Sequence, residues 1–167
     1  MPERQTLQRA RRQKRRGKAA TTQAGEFVRE EVHHVREGKH GARSTKQAIA
    51  IGLSKARRAG VKLPPPKNGK AATKRSAKYA TRAASREGKP RSRKRSQSVR
   101  RALKRESRQA ASRQALSRQA TSAARRRTAA DRRRAARRAA ETKGPRVRRV
   151  AAKRAARTRQ RRRRAAA

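Results

Sequence analysis

Large apolar residues crowd into one short window of an otherwise polar chain. Between Thr22 and Pro66 lie the only Phe, both Ile, all three His and four of the nine acidic residues. Within it, Ala24, Val28, Val32 and Val35 recur at i, i+4, i+8 and i+11, with Phe27 beside them. That period predicts an amphipathic helix over about Thr22–Glu37, stopped at Gly38. Glu26, Glu30 and Glu31 fall in its first half, where acids suit the positive helix end. A second helix is predicted to begin at Ser44, because Ser44 and Gln47 have capping-box spacing. Ile49, Leu53 and Ala56 form its apolar stripe, Gly52 permits close helix approach, and Gly60 ends it. Val61 and Leu63 can fold back on the pair before Pro64-Pro65-Pro66 forces an extended exit. The expectation is a mostly α fold: a small helix-turn-helix-like two-helix core at 22–66, between long polycationic arms that are disordered or conditionally helical. So small a core is marginal alone. Ile51, off the main stripe, is a contact point outside the hairpin and invites a homodimer.

Outside this window the periodicity vanishes. Residues 1–21 read as a basic arm, with Leu7 the one large apolar residue after Met1. Residues 67–167 read as a low-complexity tail carrying 39 Lys and Arg against 4 acids. Residues 107–121 repeat as SRQAA, SRQAL and SRQAT. Five residues turn a helix by about 140°, so Arg108, Arg113 and Arg118 spread around the axis. Ala and Arg both favour helix, and 98–143 holds no Gly or Pro, so a long helix is predicted there once its charge is neutralised. Gly144-Pro145 breaks it.

Composition sharpens the picture. The net charge is +47 over 167 residues, and bulky apolar residues are too scarce for a core along the whole length. Such a surplus repels itself and calls for a polyanion. At one charge per ~1.7 Å, it could match about 80 Å of duplex DNA. Nearly no aromatic residues exist to stack on single-stranded bases. Cysteine is absent, which excludes disulfides and thiolate catalysis. The longest apolar run, Ala48–Leu53, cannot span a bilayer, and neither a secretory signal nor the amphipathic face of a transit peptide is visible. A cytoplasmic, nucleoid-associated location follows as an expectation.

The expected phosphate contacts in the core are Lys39, His40, Arg43, Lys46, Lys55, Arg57 and Arg58. In the tail they are Arg108, Arg113, Arg118, Arg125, Arg126, Arg127, Arg132, Arg133, Arg134, Arg161, Arg162, Arg163 and Arg164. Arg bonds phosphate as a bidentate fork. Gly38-Lys39-His40-Gly41 matches the GXXG loop of KH domains in four residues. No strands surround it, so it reads as a basic inter-helix turn beside a helix N-terminus that can meet phosphate. His33 and His34 point about 100° apart on a helix and no metalloprotease or Cys/His spacing is present. The histidines therefore read as surface ion-pair partners, such as His33 with Glu37, and no metal or cofactor is expected. No nucleophile elbow or nucleotide loop is present, so no catalytic residue is assigned and the protein reads as a non-enzyme without a small-molecule substrate. Ser beside Arg in the tail is open to phosphorylation, which would weaken binding to DNA.

Residues 25–66, GEFVREEVHHVREGKHGARSTKQAIAIGLSKARRAGVKLPPP, resemble a segment of small basic bacterial proteins, chiefly proteobacterial. The resemblance covers about a quarter of the chain, and the opening MPERQTLQRARR is similar to the same family. That family is uncharacterised, and its members are sometimes labelled plasmid stabilisation or DNA-binding proteins; the resemblance implies no catalytic residues. The tail is similar in composition to linker-histone and bacterial histone-like tails. The resulting expectation is a non-enzymatic, largely sequence-independent DNA-binding protein, histone-like and plasmid- or chromosome-associated. An RNA-binding or ribosome-associated protein is the alternative, because composition does not separate the two polyanions. A protein-interaction adaptor anchored by its tail is the third reading. No membrane partner is expected.

Overall fold

The computed structural model describes residues 2–66, 69–85 and 92–165, with the side chains of 142 and 143 outside that description. Every regular element among them is helical. They are α1 (Arg4–Arg15), α2 (Ala20–Arg36), α3 (Thr45–Arg58), α4 (Ala71–Arg82), α5 (Arg93–Arg105), a 3-10 turn (Arg108–Ala111), α6 (Arg113–Arg125) and α7 (Ala129–Arg164). The chain divides into two compact units, Met1–Ala120 and Thr121–Ala167.

In the first unit α2 is the central element and packs against both α1 and α3. Its buried face runs through Ala24, Phe27, Glu31 and Val35. Phe27 therefore sits at the centre of the contact rather than beside it, and Val28 and Val32 flank it half-buried. On α3 the buried line is Thr45, Ala48, Gly52 and Ala56, one turn-edge away from the expected Ile49–Leu53 stripe. The reason is size. A Cβ added at Gly52 would lie 2.7 Å from Val28 Cα, so the two backbones touch where the residues are smallest. Ile49, Ile51 and Leu53 remain half-buried around that line. α4 packs on α3 with Ala77 and Ala80 buried.

Helix ends follow local chemistry. Ser44 caps α3 by accepting from Gln47 N at 3.2 Å. The reciprocal Gln47 bond lands one residue early, on Arg43 N at 2.7 Å. Gly17, Gly38 and Gly60 take positive φ after α1, α2 and α3. Each is the left-handed residue of a Schellman stop, with the paired backbone bonds in place, such as Val61 N to Ala56 O at 3.1 Å. Val61 and Leu63 then turn back and are buried with Ala10, Ala24, Phe27 and Ala56.

Two features depart from the pattern-based expectation. Composition predicts an arm over 1–21, yet α1 lies on α2 with Thr6 and Ala10 buried and Leu7 packed at the edge of the cluster. Its apolar face is built from small residues, which leave little periodic signal. The first repeat copy also differs from the other two. SRQAA forms the 3-10 turn, and Ala110 and Ala111 are buried with Val35, Ala42 and Ala48. Thr45 Oγ1 donates to Ala110 O at 2.7 Å and Arg36 Nε to Ala111 O at 2.8 Å. Gly41 N donates to Leu103 O at 2.8 Å and Ala42 N to Ser107 O at 3.0 Å. A Cβ at Gly41 would overlap the Glu106 carbonyl, so this docking requires glycine.

The long helix expected over 98–143 is therefore interrupted at 106–112 and again at 126–128. Ser107, Ser112 and Thr128 start the following elements by accepting from Gln109 N, Ala115 N and Asp131 N. The second unit consists of the end of α6 and the whole of α7. α7 bends at Gly144, whose φ of 65° and ψ of 166° are non-helical, and Pro145 opens its second half. Val147 and Val150 are exposed, and among its described residues no large apolar side chain is buried.

Candidate nucleic-acid interface

The basic residues of the first unit separate into cations that the fold consumes and cations that face solvent. Lys55 belongs to the first group. Its Nζ lies 2.7 Å from Glu31 Oε2 and 3.2 Å from Glu30 Oε1, and those carboxylate side chains are 0% and 2% exposed. Two buried charges need a buried partner, and α3 supplies it. Arg57 is buried as well, with Nη2 donating to Pro64 O at 3.1 Å. Burial lowers its guanidinium pKa from the ordinary value, although arginine stays charged at any physiological pH. Its function here is to tie the end of α3 to the returning chain.

His40 is half-buried, with Nδ1 3.0 Å from Gly41 O and Nε2 3.3 Å from Glu31 Oε1. Lys39 is exposed but shared between Glu37 Oε2 at 3.1 Å and Glu3 Oε1 at 3.3 Å. Hydrogen bonds to Glu37 and then Glu3 raise its pKa. Reciprocally, His34 first and Lys39 second hold the Glu3 carboxyl below the usual range, and Lys39 does the same for Glu37. His33 pairs with Glu37 at 2.9 Å.

Arg43, Lys46, Arg58 and Arg108 are exposed. Arg43 keeps 80% of its side chain in solvent and stands 3.7 Å from Glu106. Docking of 103–111 brings Arg108 over Gly38, so residues 70 positions apart in sequence share the α2–α3 loop region. Arg43 and Lys46 thus stand at the start of α3, with Arg108 at Gly38 on the other side of the loop. Lys55, Arg57 and Arg58 lie at the other end of α3, about 20 Å away for a 14-residue helix. The structure does not bring these two groups together.

In α6, Arg113 and Arg118 are exposed and about 140° apart around the axis. In the second unit, Arg125, Arg126, Arg127, Arg132, Arg133 and Arg161, Arg162, Arg163, Arg164 are all exposed. Arg134 is exposed too, but it pairs with Asp131. Arg134 and then Thr128, by hydrogen bonds, hold the Asp131 carboxyl below its usual value. α7 carries 17 Lys and Arg and 2 acids over 36 residues. Its two halves, about 22 and 30 Å long at 1.5 Å per residue, present positive charge on every side.

What pattern reading missed is the acid network. Glu31 falls four residues after Phe27 and four before Val35, squarely on the apolar stripe. A charge in that position signals a buried partner rather than a helix-dipole effect, and α2 has no acid in its first turn.

Residues 4–68 match the model of a family of unknown function, DUF6496. The match opens at the first residue of α1 and closes just beyond Pro66, so it spans α1, α2, α3 and the returning chain with Val61 and Leu63. The DUF6496 stretch thus covers the larger buried cluster and the Lys55–Glu30–Glu31 ion pairs, leaves Glu3 just outside, and excludes the docked turn and α7. No curated protein and no solved structure matches the chain.

Proposed function

We propose that the chain is a non-enzymatic, largely sequence-independent DNA-binding protein of histone-like character, whose cytoplasmic place is on the nucleoid or a plasmid. The observation that carries this reading is the segregation of charge. Three of the nine acids lie in α2 and a fourth, Glu37, caps its end; all four are paired within the fold, while the tail cations face solvent. Phosphate is the counter-charge with the matching density. Arg43, Lys46 and Arg108 position the first unit around the α2–α3 loop, and the tail supplies most of the affinity. The tail segments repel one another along a free chain and hold their helices once phosphate neutralises them. Several cationic segments on one chain bridge separate stretches of duplex and condense them. Helix α7 is cationic on every face and cannot lie flat on an acidic bilayer with an apolar side down, and no helix among the described residues is long and apolar enough to cross one.

Affinity capture from native cells, with and without nuclease, tests this reading when the recovered nucleic acid is sequenced. Duplex DNA spread over many sequences is the expected result. Structured RNA in its place would replace DNA with the RNA-binding reading. Protein partners retained after nuclease, with no nucleic acid, would overturn both in favour of an adaptor.

A further inference from the structure

We propose that Glu31, His34 and His40 form a divalent-metal site suited to Zn2+. One ligand atom from each lies within 4.8 Å of the others, with Glu31 buried and both histidines half-buried. The rings stand edge to face with centroids 6.2 Å apart. Ligand atoms around a tetrahedral Zn2+ lie about 3.4 Å apart at Zn–N distances near 2.1 Å. His40 Nε2 and Glu31 Oε1, at 3.3 Å, already have that spacing. No pair needs to close by more than about 1.4 Å, within reach of side-chain rotation.

Two details point to a cation. His40 Nδ1 lies 3.0 Å from Gly41 O, an atom that only accepts, so Nδ1 carries the proton. In the neutral ring that leaves the Nε2 lone pair facing a carboxylate oxygen. A histidine whose Nδ1–H is held by a backbone carbonyl, with Nε2 turned to other ligands, is the usual arrangement of a metal-bound imidazole. Second, both Glu31 oxygens are buried without an aligned hydrogen bond. Lys55 stands 2.7 Å from Oε2, while Oε1 is turned toward His40 Nε2 at 3.3 Å. Glu3 Oε1, 2.8 Å from His34 Nε2, adds a second carboxylate beside the site. Imidazole with carboxylate favours Zn2+ over Mg2+ or Ca2+.

The site would join the end of α2 to the loop at 40–42. Gly41 and Ala42 in that loop hold residues 103–107 through backbone bonds. Metal would therefore fix the loop on which the first repeat copy docks. This inference is independent of nucleic-acid binding.

The test uses the full chain, stripped of nucleic acid at high salt and titrated with Co2+ and then Zn2+. The expected result is one ion per chain, visible d–d absorption for Co2+, and displacement by Zn2+. His34→Ala and His40→Ala should each weaken binding at least about 10-fold, while His33→Ala, on an exposed residue paired with Glu37, should not. Circular dichroism of each metal-free variant reports folding; if His40→Ala unfolds, His34→Ala carries the comparison. Absence of saturable uptake by the wild-type chain would overturn the proposal. So would uptake unchanged in the His34→Ala/His40→Ala double variant.

Discussion

Lys55 separates a structural cation from a nucleic-acid contact. In Lys55→Ala, Glu30 and Glu31 keep their burial and lose the ammonium 3.2 and 2.7 Å away. Removing one partner of a buried ion pair costs about 3–5 kcal/mol, mostly from the charge left behind. The Lys55 side chain keeps 19% exposure, so some water can take its place. The expected loss is therefore about 3 kcal/mol, at the low end of that range. For a unit of this size that is a fall of about 10 °C in Tm. Urea and thermal unfolding followed by circular dichroism on the metal-free chain measure it. Lys55→Met keeps the stem and should lose nearly as much. Adding Glu30→Gln and Glu31→Gln to Lys55→Met should recover most of the loss, because the buried charges go with their partner. A loss below about 1 kcal/mol would refute the buried-network account. A Lys55 that instead contacted phosphate would leave stability unchanged and reduce the salt slope of binding by about 1.

Three further outcomes follow from the packing and the caps. Gly52→Ala places a Cβ 2.7 Å from Val28 Cα and should cost about 1–3 kcal/mol in the same unfolding assay. Gly41→Ala drives a Cβ into the Glu106 carbonyl, so residues 103–112 should become the first protease-cleaved segment, and the amides of positions 41 and 42, which donate to Leu103 O and Ser107 O, should lose hydrogen-exchange protection. Asp131 has a folded pKa below the ordinary 3.8 because Arg134 and Thr128 bond its charged form. Its support for the start of α7 is thus present above pH 3.8 and lost as pH falls through the lowered value. Backbone chemical shifts at 129–134 should stay helical at pH 5 and weaken at the acid end of a titration, with Asp131→Asn weakened throughout.

Much of the core is written locally. Ser44 with Gln47, Gly38, Gly60 and the Gly144-Pro145 break all act within a few residues, so pattern reading finds them. The return of Val61 and Leu63 is legible because no other large apolar residues follow nearby. Long-range seating is less legible. α1 and the turn at 108–111 dock through Thr6, Ala10, Ala110 and Ala111, and alanine is too common in this chain to mark a buried position. The choice of Ala48, Gly52 and Ala56 over Ile49 and Leu53 reflects how near two backbones can come, which hydropathy does not encode. Among the expected phosphate contacts, Lys55 and Arg57 look like the other Lys and Arg in sequence. Only the buried acids and the Pro64 carbonyl facing them tell them apart.

The most direct measurement is duplex affinity of the full chain against salt concentration, beside the same chain ended at Ala120. Neutralising about eight phosphates gives a log–log slope near −7 for B-DNA. The full chain should reach at least that slope on unrelated duplexes alike, and the chain ended at Ala120, which loses 20 of the 56 Lys and Arg, should show a shallower one. A flat salt dependence, or equal slopes with and without residues 121–167, would contradict the account.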